Sequence, residues 1–477
     1  MGATKIVATI GPVCDSTEKI KSLIGAGVNV FRFNLKHNTQ RWHSSRLARV
    51  RQASKETGVE VAILLDLQGP EIRIGTFKGG RLILEKGEEV AFVTSPSRKK
   101  RKEIILSNLI LLEKIQKNNE LTIDDGHLRF KVTGKKQKEV LAEVLEGGVL
   151  KNQKGVNVPN LELDLPTLVE KDIEDISLAA REDVDFVALS FVRSAKDIMV
   201  LREELKRQKV NAKIVAKIET GLALQNFEEI LKETDGVMVA RGDLGIELPL
   251  EQVPFHQKQI IKRCLEAGKP VITATEMLAS MTENPYPTRA EVSDVANAIY
   301  DFTDAVMLST ETAVGKYPER AVAMMRQIAA FIEEKRPRPE KLRYDIRHQT
   351  AAVTFAAHHL WESEFCQREK IQAFVTLTET GMTARMLSRL RPEIPILALT
   401  RHQKVRDQLL LIWGVIPVLF PFTKDPYGKK TVEQIEEMLR LVREQKYVKK
   451  GEKIIMIYGE DWGTSGKTSI IRIQEVN

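Results

Sequence analysis

The chain alternates short apolar runs with longer stretches in which apolar residues recur at helical spacing. Near-continuous apolar strands of this kind are buried on both faces, as in a parallel sheet covered by helices. Eight strand–helix units predict a closed (β/α)₈ TIM barrel, an α/β fold. The eight runs are KIVATI (5–10), VNVFRFN (28–34), VAILLD (61–66), DFVALSF (185–191), KIVAKIE (213–219), GVMVAR (236–241), PVITAT (270–275) and DAVMLS (304–309).

Each run ends at or beside a polar or turn residue. In a parallel barrel these ends meet at the C-terminal rim, where barrel enzymes carry their active sites. One or two polar ends would only show how strands finish, but acids, an arginine and hydroxyls on one rim predict a functional site. The rim positions are Gly11, Asn34, Asp66, Ser190, Glu219, Arg241, Thr275 and Ser309.

The barrel pattern is interrupted twice. Between Asp66 and Asp185 the chain has short strands separated by glycine turns, which predicts a small β domain inserted after the third strand. This domain would overhang the rim as a lid. After Glu333, a charged segment with two prolines leads into further strand–helix units. We therefore predict a barrel domain (1–69 and 167–338), an inserted β-barrel lid (70–166) and a C-terminal α/β domain (339–477).

Composition changes this picture little. The chain has 477 residues, of which 43% are hydrophobic and 29% charged, which excludes disordered, collagen-like and disulfide-scaffold proteins. The net charge of +8 is spread over a long chain, and the basic run 97–103 is expected to be a solvated loop, so nucleic acid is not an expected partner. Three widely spaced cysteines, with no evident signal peptide or bilayer-spanning segment, predict a cytoplasmic protein without a membrane partner.

Candidate chemistry centres on Glu219 and Asp243, which follow successive strands. Two carboxylates at neighbouring rim positions suit a hard cation such as Mg²⁺, which keeps several waters and also binds substrate oxygens. Lys217 lies two residues before Glu219, so both side chains point to the same side of the strand. An ammonium group inside the barrel can stabilise an enolate or a phosphoryl charge. The alternative is two solvated acids and an outward-facing lysine.

Arginines flank the same rim. Arg32 lies in the second strand, and Arg73 follows the third strand in the segment GPEIR. Guanidinium groups bind phosphate in a bidentate manner, although a lone arginine more often forms a surface ion pair. Residues 241–245 (RGDLG) are predicted to open a helix, whose first N–H groups favour an anion such as a carboxylate. Together with Lys217 and a metal pair, these residues predict a phosphoryl-transfer site.

Long motifs run through nearly the whole chain: KIVATIGP, LLDLQGPEIRIG, KGVNVP, DLPTLVEKD, AKIETG, VMVARGDLGIEL, ITATEMLASM and TRAEVSDVANAIYDFTDAVMLSTETAVGKYP. Together they resemble the pyruvate kinase family. The resemblance implies a barrel domain, an inserted β-barrel lid and a C-terminal α/β domain, usually in a homotetramer. It also implies the last step of glycolysis, in which phosphoenolpyruvate and ADP give pyruvate and ATP with Mg²⁺ or Mn²⁺ as cofactor.

The resemblance further implies roles for individual residues. Lys217 would stabilise the transition state and the enolate, and Glu219 and Asp243 would hold Mg²⁺. Other implied roles are substrate phosphate binding by Arg32, contacts of Gly242, Asp243 and Thr275 with the substrate carboxylate, nucleotide binding by Arg73, Lys154 and His37, and a proton path to the enolate carbon near Thr275 and Ser309.

The sequence departs from the family at the site for a monovalent cation. The family motif N-F-S-H reads NLKH (34–37), and D-T-K-G-P-E reads DLQGPE (66–71). We hypothesise that the Lys36 ammonium replaces K⁺ and leaves activity largely K⁺-independent. Alternatively, Lys36 turns to solvent and the site is damaged. The four positions that supply oxygens to K⁺ in the family are Asn34, Lys36, Asp66 and Leu67 here.

Other departures concern packing and regulation. Glu276 replaces a glutamine, and Phe302 and Thr310 replace glycines, which requires backbone outside the left-handed region there. These two side chains would affect packing near the rim or a subunit contact. The loop that often binds a phosphorylated effector in relatives reads LTETGMT (377–383), where Glu379 would repel a phosphate and Lys467 would compensate.

Two other functions stay open at this point. A Mg²⁺-dependent lyase or aldolase barrel acting on pyruvate-like substrates also uses an acid pair, but it leaves the inserted and C-terminal domains unexplained. A catalytically silenced or repurposed regulatory relative would fit the altered cation site, although the retained Lys217, Glu219, Asp243 and Thr275 argue against it. Pyruvate formation that depends on ADP separates the three functions.

Overall fold

The computed structural model describes most of the chain. The described residues are 2–96, 101–106, 108–124, 126–136, 139–159, 161, 163–337, 339, 342–422, 431–460, 464 and 466–476. Four residues of the basic run, 97–100, therefore lie outside the described residues.

The chain begins with three strands and two helices, β1 (Lys5–Thr9), α1 (Thr17–Ala26), β2 (Val30–Asn34), α2 (Gln40–Thr57) and β3 (Ala62–Asp66). Both helices have a side-chain N-cap, because Ser16 accepts from the Lys19 N–H and Thr39 from the Trp42 N–H. All five residues of β1 and of β3 are buried, as the apolar runs predict.

The inserted segment contains β4 (Arg81–Leu84), β5 (Glu89–Val93), β6 (Glu103–Ile105), α3 (Leu109–Lys114), β7 (Glu120–Ile123), β8 (Leu128–Lys136), β9 (Glu139–Glu146), β10 (Gly148–Lys151) and β11 (Val156–Asn157). Its main sheet has the order β11-β7-β8-β9-β5-β6, and β10 pairs with β4 in a separate ribbon. Along β8, Leu128, Phe130 and Val132 alternate inward into an apolar core of its own.

The barrel then resumes with α4 (Glu170–Arg181), β12 (Phe186–Leu189), α5 (Ala195–Arg207), β13 (Lys213–Ile218), α6 (Gly221–Gln225), α7 (Phe227–Glu233), β14 (Gly236–Ala240), α8 (Arg241–Glu247), α9 (Val253–Ala267), β15 (Val271–Ala274), α10 (Arg289–Tyr300), β16 (Ala305–Leu308), α11 (Thr310–Ala313) and α12 (Pro318–Lys335). Short 3₁₀ turns lie at Leu250–Gln252 and Ala279–Thr282. Helix α10 starts with a reciprocal cap between Thr288 and Glu291.

The C-terminal part contains α13 (Gln349–Glu362), α14 (Glu364–Arg368), β17 (Ala373–Leu377), α15 (Met382–Ser388), β18 (Ile396–Thr400), α16 (Gln403–Leu409), β19 (Val415–Leu419), α17 (Thr431–Glu444), β20 (Lys453–Gly459) and β21 (Thr468–Glu475). Its sheet has the order β19-β18-β17-β20-β21, in which only the β20–β21 pair is antiparallel. This part is the third, α/β unit that the sequence predicts.

The eight predicted strands close into one parallel barrel in the order β1-β16-β15-β14-β13-β12-β3-β2. The predicted fold class is therefore confirmed. The exact domain boundaries, 1–69 with 167–338, 70–166 and 339–477, stay a prediction. The barrel interior includes two leucines of the C-terminal part, Leu410 and Leu411, which pack on inward-facing residues such as Val7 and Val30. Within the described ranges, no helix combines the length and apolar character needed to cross a membrane.

The expectation for Phe302 is wrong. Its backbone is left-handed, with φ 68°, and it precedes β16 at the end of the barrel opposite the rim. The Arg391 guanidinium donates to the Phe302 carbonyl oxygen at 2.7 Å, and the Phe302 N–H donates to the Ile299 carbonyl at 3.0 Å. These two contacts hold a conformation that the local sequence disfavours. Thr310, by contrast, begins helix α11.

Candidate active site at the barrel rim

The predicted rim residues lie at the C-terminal ends of the barrel strands. Asn34 and Asp66 are the last residues of β2 and β3, and Lys217 is the penultimate residue of β13. Thr275 and Ser309 directly follow β15 and β16. Because parallel strands bring these ends to the same face of the barrel, residues distant in sequence share one site.

A buried ammonium group forms the centre of the rim. Lys217 Nζ lies 2.7 Å from Glu219 Oε1 and 3.4 Å from Asp66 Oδ1, and it donates to Ser190 Oγ at 2.8 Å. Burial opposes the lysine charge, but the carboxylates of Asp66, Glu219 and Asp243 outweigh burial and raise the pKa of Lys217 above its ordinary value. Lys217 is therefore a fixed positive charge at neutral pH.

Arg32 extends the positive region toward β1. Its Nε and Nη2 atoms each lie 2.7 Å from Asp66 Oδ2, and its Nη1 donates to Thr9 Oγ1 at 3.0 Å. Burial favours a raised pKa for Asp66, but the charges of Lys217 and Arg32 lower this pKa overall. One buried carboxylate thus holds both cations side by side, an arrangement suited to an anionic substrate.

Glu219 and Asp243 supply the carboxylate oxygens that a divalent cation prefers. Glu219 Oε2 accepts from the Phe191 N–H at 2.7 Å, whereas its buried Oε1 accepts no hydrogen bond of suitable angle. Burial raises the pKa of Glu219 to about 7; the Lys217 charge opposes this rise and the Asp243 charge adds to it. A divalent cation between the two acids would relieve this unfavourable burial, so the donor pair fits Mg²⁺ or Mn²⁺.

The pair does not enclose a metal by itself. In the part of the chain that the structure describes, no group of three or more His, Cys, Asp or Glu side chains is placed to hold a metal ion. Substrate oxygens and water would therefore complete the coordination shell, as is usual for Mg²⁺ at phosphate-binding sites.

Thr275 and Gly242 form a second part of the rim. Thr275 and Glu276 are both left-handed, with φ 66° and 54°. Thr275 Oγ1 accepts from the Gly242 N–H at 2.8 Å, at the start of α8. The Arg241 Nη2 group donates to the Thr275 carbonyl at 2.7 Å, while its Nη1 lies 2.6 Å from Asp294 Oδ1. A carboxylate at the start of α8 would therefore lie beside the Thr275 hydroxyl.

Two of the predicted nucleotide-binding residues belong to the inserted segment: Arg73 lies between β3 and β4, and Lys154 between β10 and β11. Arg73 Nη2 lies 2.8 Å from Glu71 Oε2, and its Nη1 donates to the Gln153 carbonyl at 2.8 Å. Lys154 pairs with Asp124 at 2.6 Å. Both cations thus have protein partners that a nucleotide phosphate would have to displace.

The predicted monovalent-cation site contains an internal ion pair. Lys36 Nζ lies 2.9 Å from Glu71 Oε1, and the Lys36 N–H donates to Asn34 Oδ1 at 3.1 Å. The carbonyl of Leu67 accepts from Ser190 Oγ at 2.8 Å. The partner of the Lys36 ammonium is therefore Glu71, which also binds the Arg73 guanidinium described above.

Two predicted residues lie at the margin of the site. Burial lowers the pKa of His37, and the nearby charges of Lys36 and Arg73 lower it further, so His37 is neutral near pH 7. Ser309 donates its backbone N–H to Glu311 Oε2 at 2.7 Å, and its buried hydroxyl makes no hydrogen bond with any described residue. No hydrogen bond within the described residues joins Ser309 to the Lys217 group.

The sequence indicated Ser190 as a strand end but assigned it no function. Ser190 Oγ lies 3.5 Å from Asp66 Oδ1 and accepts from the Lys217 ammonium, so it connects three neighbouring strands. The available signal was its place at the end of β12, because β12 pairs with both β3 and β13. The sequence pattern leaves the strand order open, and only the strand order shows that Ser190 lies between Asp66 and Lys217.

A closed parallel barrel that gathers a buried lysine, an arginine and a carboxylate pair at its C-terminal rim defines a barrel enzyme. The family model described as "Pyruvate kinase, barrel domain" matches residues 1–322, and the model described as "Pyruvate kinase, alpha/beta domain" matches residues 363–474. The chain belongs to the pyruvate kinase family, and it is a phosphotransferase (EC 2.7.1.40) of glycolysis.

Curated relatives agree with this assignment. The chain is 40% identical over 478 residues to "Pyruvate kinase" of Geobacillus stearothermophilus, covering 99% of this chain and 80% of the relative. It is 41% identical over 480 residues to "Pyruvate kinase" of Staphylococcus saprophyticus, covering 100% of this chain and 81% of the relative. The relative of the same name from Staphylococcus aureus is 41% identical over 479 residues, with coverage of 100% and 81%.

Proposed function

We propose that the chain transfers the phosphoryl group of phosphoenolpyruvate to ADP, giving pyruvate and ATP. The observation that carries this proposal is the Lys217 ammonium, which is buried among Asp66, Glu219 and Ser190 beside Arg32. Charge that develops on a phosphoryl group or an enolate in this reaction needs fixed positive charge in a water-poor site. The rim provides two such cations without any reorganisation.

We propose Glu219 and Asp243 as the ligands of Mg²⁺ or Mn²⁺. When bound, the cation would neutralise the negative charge of substrate oxygens. The supporting observations are the buried Oε1 of Glu219 that lacks a suitable hydrogen bond and the raised pKa of its carboxyl group.

The remaining roles follow from position. Arg32 binds the substrate phosphate, and the Gly242 N–H together with Thr275 orients the substrate carboxylate. Thr275 and Ser309 lie at adjacent strand ends, from which the enolate carbon receives a proton. Closure of the inserted domain would exclude water.

Nucleotide binding is assigned to Arg73 and Lys154 of the inserted segment and to His37 of the barrel part. Arg73 and Lys154 hold the phosphates of ADP and ATP, and His37 lies near Arg73. Support comes from the cationic side chains of Arg73 and Lys154 and from the effect of the Arg73 charge on the pKa of His37. Each phosphate contact would replace a protein carboxylate or carbonyl partner.

We propose that Lys36 takes the place of a monovalent cation. A lysine ammonium carries the same charge as K⁺, and here it is bound to Glu71 at 2.9 Å next to the retained Asn34 and Asp66 positions. Family members use K⁺ through oxygens at these positions, two of which are Lys36 and Leu67 in this chain. Activity without added K⁺ follows from this arrangement.

Assembly and regulation are proposed from the family resemblance and from the contacts of loop 377–383. Family resemblance supports a cytoplasmic homotetramer. For a phosphorylated effector at loop 377–383, the Glu379 carboxylate is an obstacle, since it already accepts from Arg401 at 3.1 Å and from His402 at 2.8 Å. We therefore expect little activation by sugar phosphates at this loop, which titration of turnover with such compounds would test.

Pyruvate release in an omission series tests the proposed reaction. With phosphoenolpyruvate, ADP and Mg²⁺ together, pyruvate and ATP should form in equal amounts. Leaving out ADP, or chelating Mg²⁺, should stop product formation. Pyruvate release without ADP would indicate a lyase instead, and no product under any condition would indicate a silenced relative.

A further inference from the structure

A cavity of about 560 Å³ lies at the end of the barrel opposite the proposed active site. Its walls come from β1, the end of helix α12, the loop before β16 and the C-terminal part of the chain. It is large enough for a small metabolite. The lining residues with ionic or aromatic side chains include Lys5, Phe302, Glu333, Arg336, Arg391 and Trp413.

Arg336 is a cation without a carboxylate partner in this cavity. Its guanidinium lies 4.6 Å from the ring centroid of Phe302 and 5.0 Å from that of Trp413, and its Nη1 donates to the Ile299 carbonyl at 3.0 Å. Across the described residues, no acid forms an ion pair with it. Burial lowers the pKa of Arg336 to about 10, and the Arg391 charge adds to this effect.

Lys5, on the barrel side of the cavity, is a second cation that has no ion pair with a described acid. It is 6% exposed, and its Nζ donates to the Val415 carbonyl at 2.7 Å, with no ion pair to any described acid. Burial lowers the pKa of Lys5 to about 8, and the charge of Arg326 contributes. A buried cation satisfied only by a backbone carbonyl is costly unless a further anion approaches it.

The acids around the cavity have other partners. Glu333 accepts from the Ala3 N–H at 2.9 Å and from the Thr4 N–H. Asp304 lies 3.1 Å from Arg391 and accepts from the Trp413 N–H at 3.3 Å. Glu334 pairs with Lys335 at 2.8 Å, and Glu393 also has a partner. The Glu333 and Asp304 charges favour the protonated forms of Lys5 and Arg336, but no described acid forms an ion pair with either cation. Both cations are therefore open to direct pairing with an incoming anion.

The aromatic clamp around Arg336 depends on a residue in a disfavoured conformation. Phe302 keeps its left-handed backbone through the Arg391 contact, and this places its ring against the Arg336 guanidinium. Strained residues persist where their surroundings hold them, and they concentrate at ligand sites. Because the clamp fixes the guanidinium before binding, little side-chain freedom remains to be lost when a ligand arrives.

We propose that this cavity binds a small phosphate monoester, whose phosphate group lies against Arg336 and Lys5. A guanidinium with N–H groups that make no other hydrogen bond in the described residues, together with an ammonium lining the same cavity, is the kind of donor set that phosphate oxygens prefer. Arg336 belongs to the end of α12, whereas Trp413 and Arg391 belong to the C-terminal part. A ligand that fills the cavity would therefore contact both parts of the molecule. The proposal does not depend on the reaction proposed for the rim.

Tryptophan fluorescence gives a local test. The chain has four tryptophans, and Trp413 contacts both Arg336 and Arg391. Titration with glycerol 3-phosphate should give a saturable signal at or below about 1 mM, within the usual range of metabolite affinities. Trp413→Phe should lose this signal. Arg336→Gln should raise the dissociation constant at least about tenfold, because a charge-assisted hydrogen bond is lost.

Two further variants make the result interpretable. Arg336→Lys keeps the positive charge and should retain most of the affinity, and Lys5→Gln should weaken binding without touching the clamp. Arg207→Gln, which removes a surface arginine paired with Glu204, is the matched control and should titrate like the wild type. Equal melting temperatures would exclude misfolding.

The proposal is overturned if wild type gives no saturable response to glycerol 3-phosphate. It is also overturned if Arg336→Gln and Lys5→Gln both bind as tightly as wild type, or if citrate binds and the phosphate monoester does not. A titration with inorganic phosphate shows whether the organic group of the ligand contributes to binding. If inorganic phosphate binds more tightly than glycerol 3-phosphate, the assignment of a phosphate monoester is contradicted.

Discussion

Lys217 shows how neighbouring residues decide the state of a single side chain. An isolated lysine at this depth would favour its neutral form, but Asp66, Glu219 and Asp243 keep it charged. The same carboxylates make the ammonium group immobile, since Asp66 is itself bound by Arg32. The cation that the proposed reaction needs is therefore in place before substrate arrives.

Replacing Lys217 by methionine should lower the turnover number at least about 10³-fold, because an electrostatic contact to the developing charge is lost. The measurement is steady-state pyruvate formation, together with the melting temperature. Lys213→Met is the matched control on the same strand, since Lys213 is partly exposed and pairs with Asp235. Comparable turnover in the two variants would contradict the assigned role of Lys217.

Replacing Glu219 by glutamine should weaken Mn²⁺ binding by roughly 10–100-fold, the loss expected when one charged ligand becomes neutral. Electron paramagnetic resonance of free Mn²⁺ in a titration of the protein measures this directly. Glu228→Gln removes an exposed acid paired with Arg263 and should leave Mn²⁺ affinity unchanged. If Glu219→Gln binds Mn²⁺ as wild type does, the metal lies elsewhere.

The sequence predicted most of these rim residues because strand ends of a parallel barrel converge. It did not predict that Asp66 binds both Arg32 and Lys217, since that depends on strand order and side-chain conformation. For Phe302 the prediction was wrong, because a distant arginine stabilises its left-handed backbone. Thr275 is also left-handed, and its carbonyl accepts from the distant Arg241, a contact that has no local sequence signal.

At the scale of elements, the inserted strands bring cations toward the rim but keep them paired. Arg73 contacts Glu71 and Gln153, and Lys154 contacts Asp124, whose own backbone is left-handed with φ 58°. The alternation along β8 and the glycine turns were sufficient to predict a β-rich insertion. The Arg73–Gln153 and Lys154–Asp124 contacts could not be predicted, because they join residues 80 and 30 positions apart through side chains.

Breaking the Lys154 pair should favour nucleotide binding. Asp124→Asn should lower the KM for ADP by up to about fivefold with little change in kcat, since an exposed ion pair is worth at most about 1 kcal/mol. Steady-state kinetics at saturating phosphoenolpyruvate measure kcat and the KM for ADP separately. Glu88→Gln breaks another pair of the insertion, with Lys102 at 2.7 Å, and serves as the control. An unchanged or raised KM for ADP in Asp124→Asn would argue against a nucleotide role for Lys154.

At the scale of the whole molecule, the C-terminal part is tied to the barrel end opposite the active site. Leu410 and Leu411 pack against the barrel interior, and Lys404 Nζ lies 3.1 Å from Asp185 Oδ1. Arg406 pairs with Glu60 at 2.5 Å and with Asp407 at 2.7 Å. The sequence predicted the third unit but not this contact, which joins positions more than 200 residues apart.

Asp407 makes this contact sensitive to pH. Burial and then the Asp185 charge raise its pKa to about 6, above its ordinary value. The folded state therefore holds a proton that the unfolded state releases, so stability falls as pH rises between about 4 and 6. Asp407→Asn should gain roughly 1–2 kcal/mol of stability over wild type at pH 7.5, and much less at pH 4.5.

Urea denaturation at the two pH values measures this difference. Glu203→Gln, at an exposed acid on α5, is the control and should behave as wild type at both. A gain for Asp407→Asn that is the same at pH 4.5 and pH 7.5 would show that the carboxyl group is not titrating in this window.

We propose a kinase site in which the Lys36 ammonium takes the place of a monovalent cation. The most direct test is pyruvate formation from phosphoenolpyruvate, ADP and Mg²⁺ in buffer free of Na⁺ and K⁺, repeated with KCl, for wild type and Lys36→Ser. Wild type should turn over equally in both buffers, and Lys36→Ser should need KCl. If wild type turns over only with KCl, Lys36 does not take the place of the monovalent cation. No turnover in either buffer would contradict the proposed reaction itself.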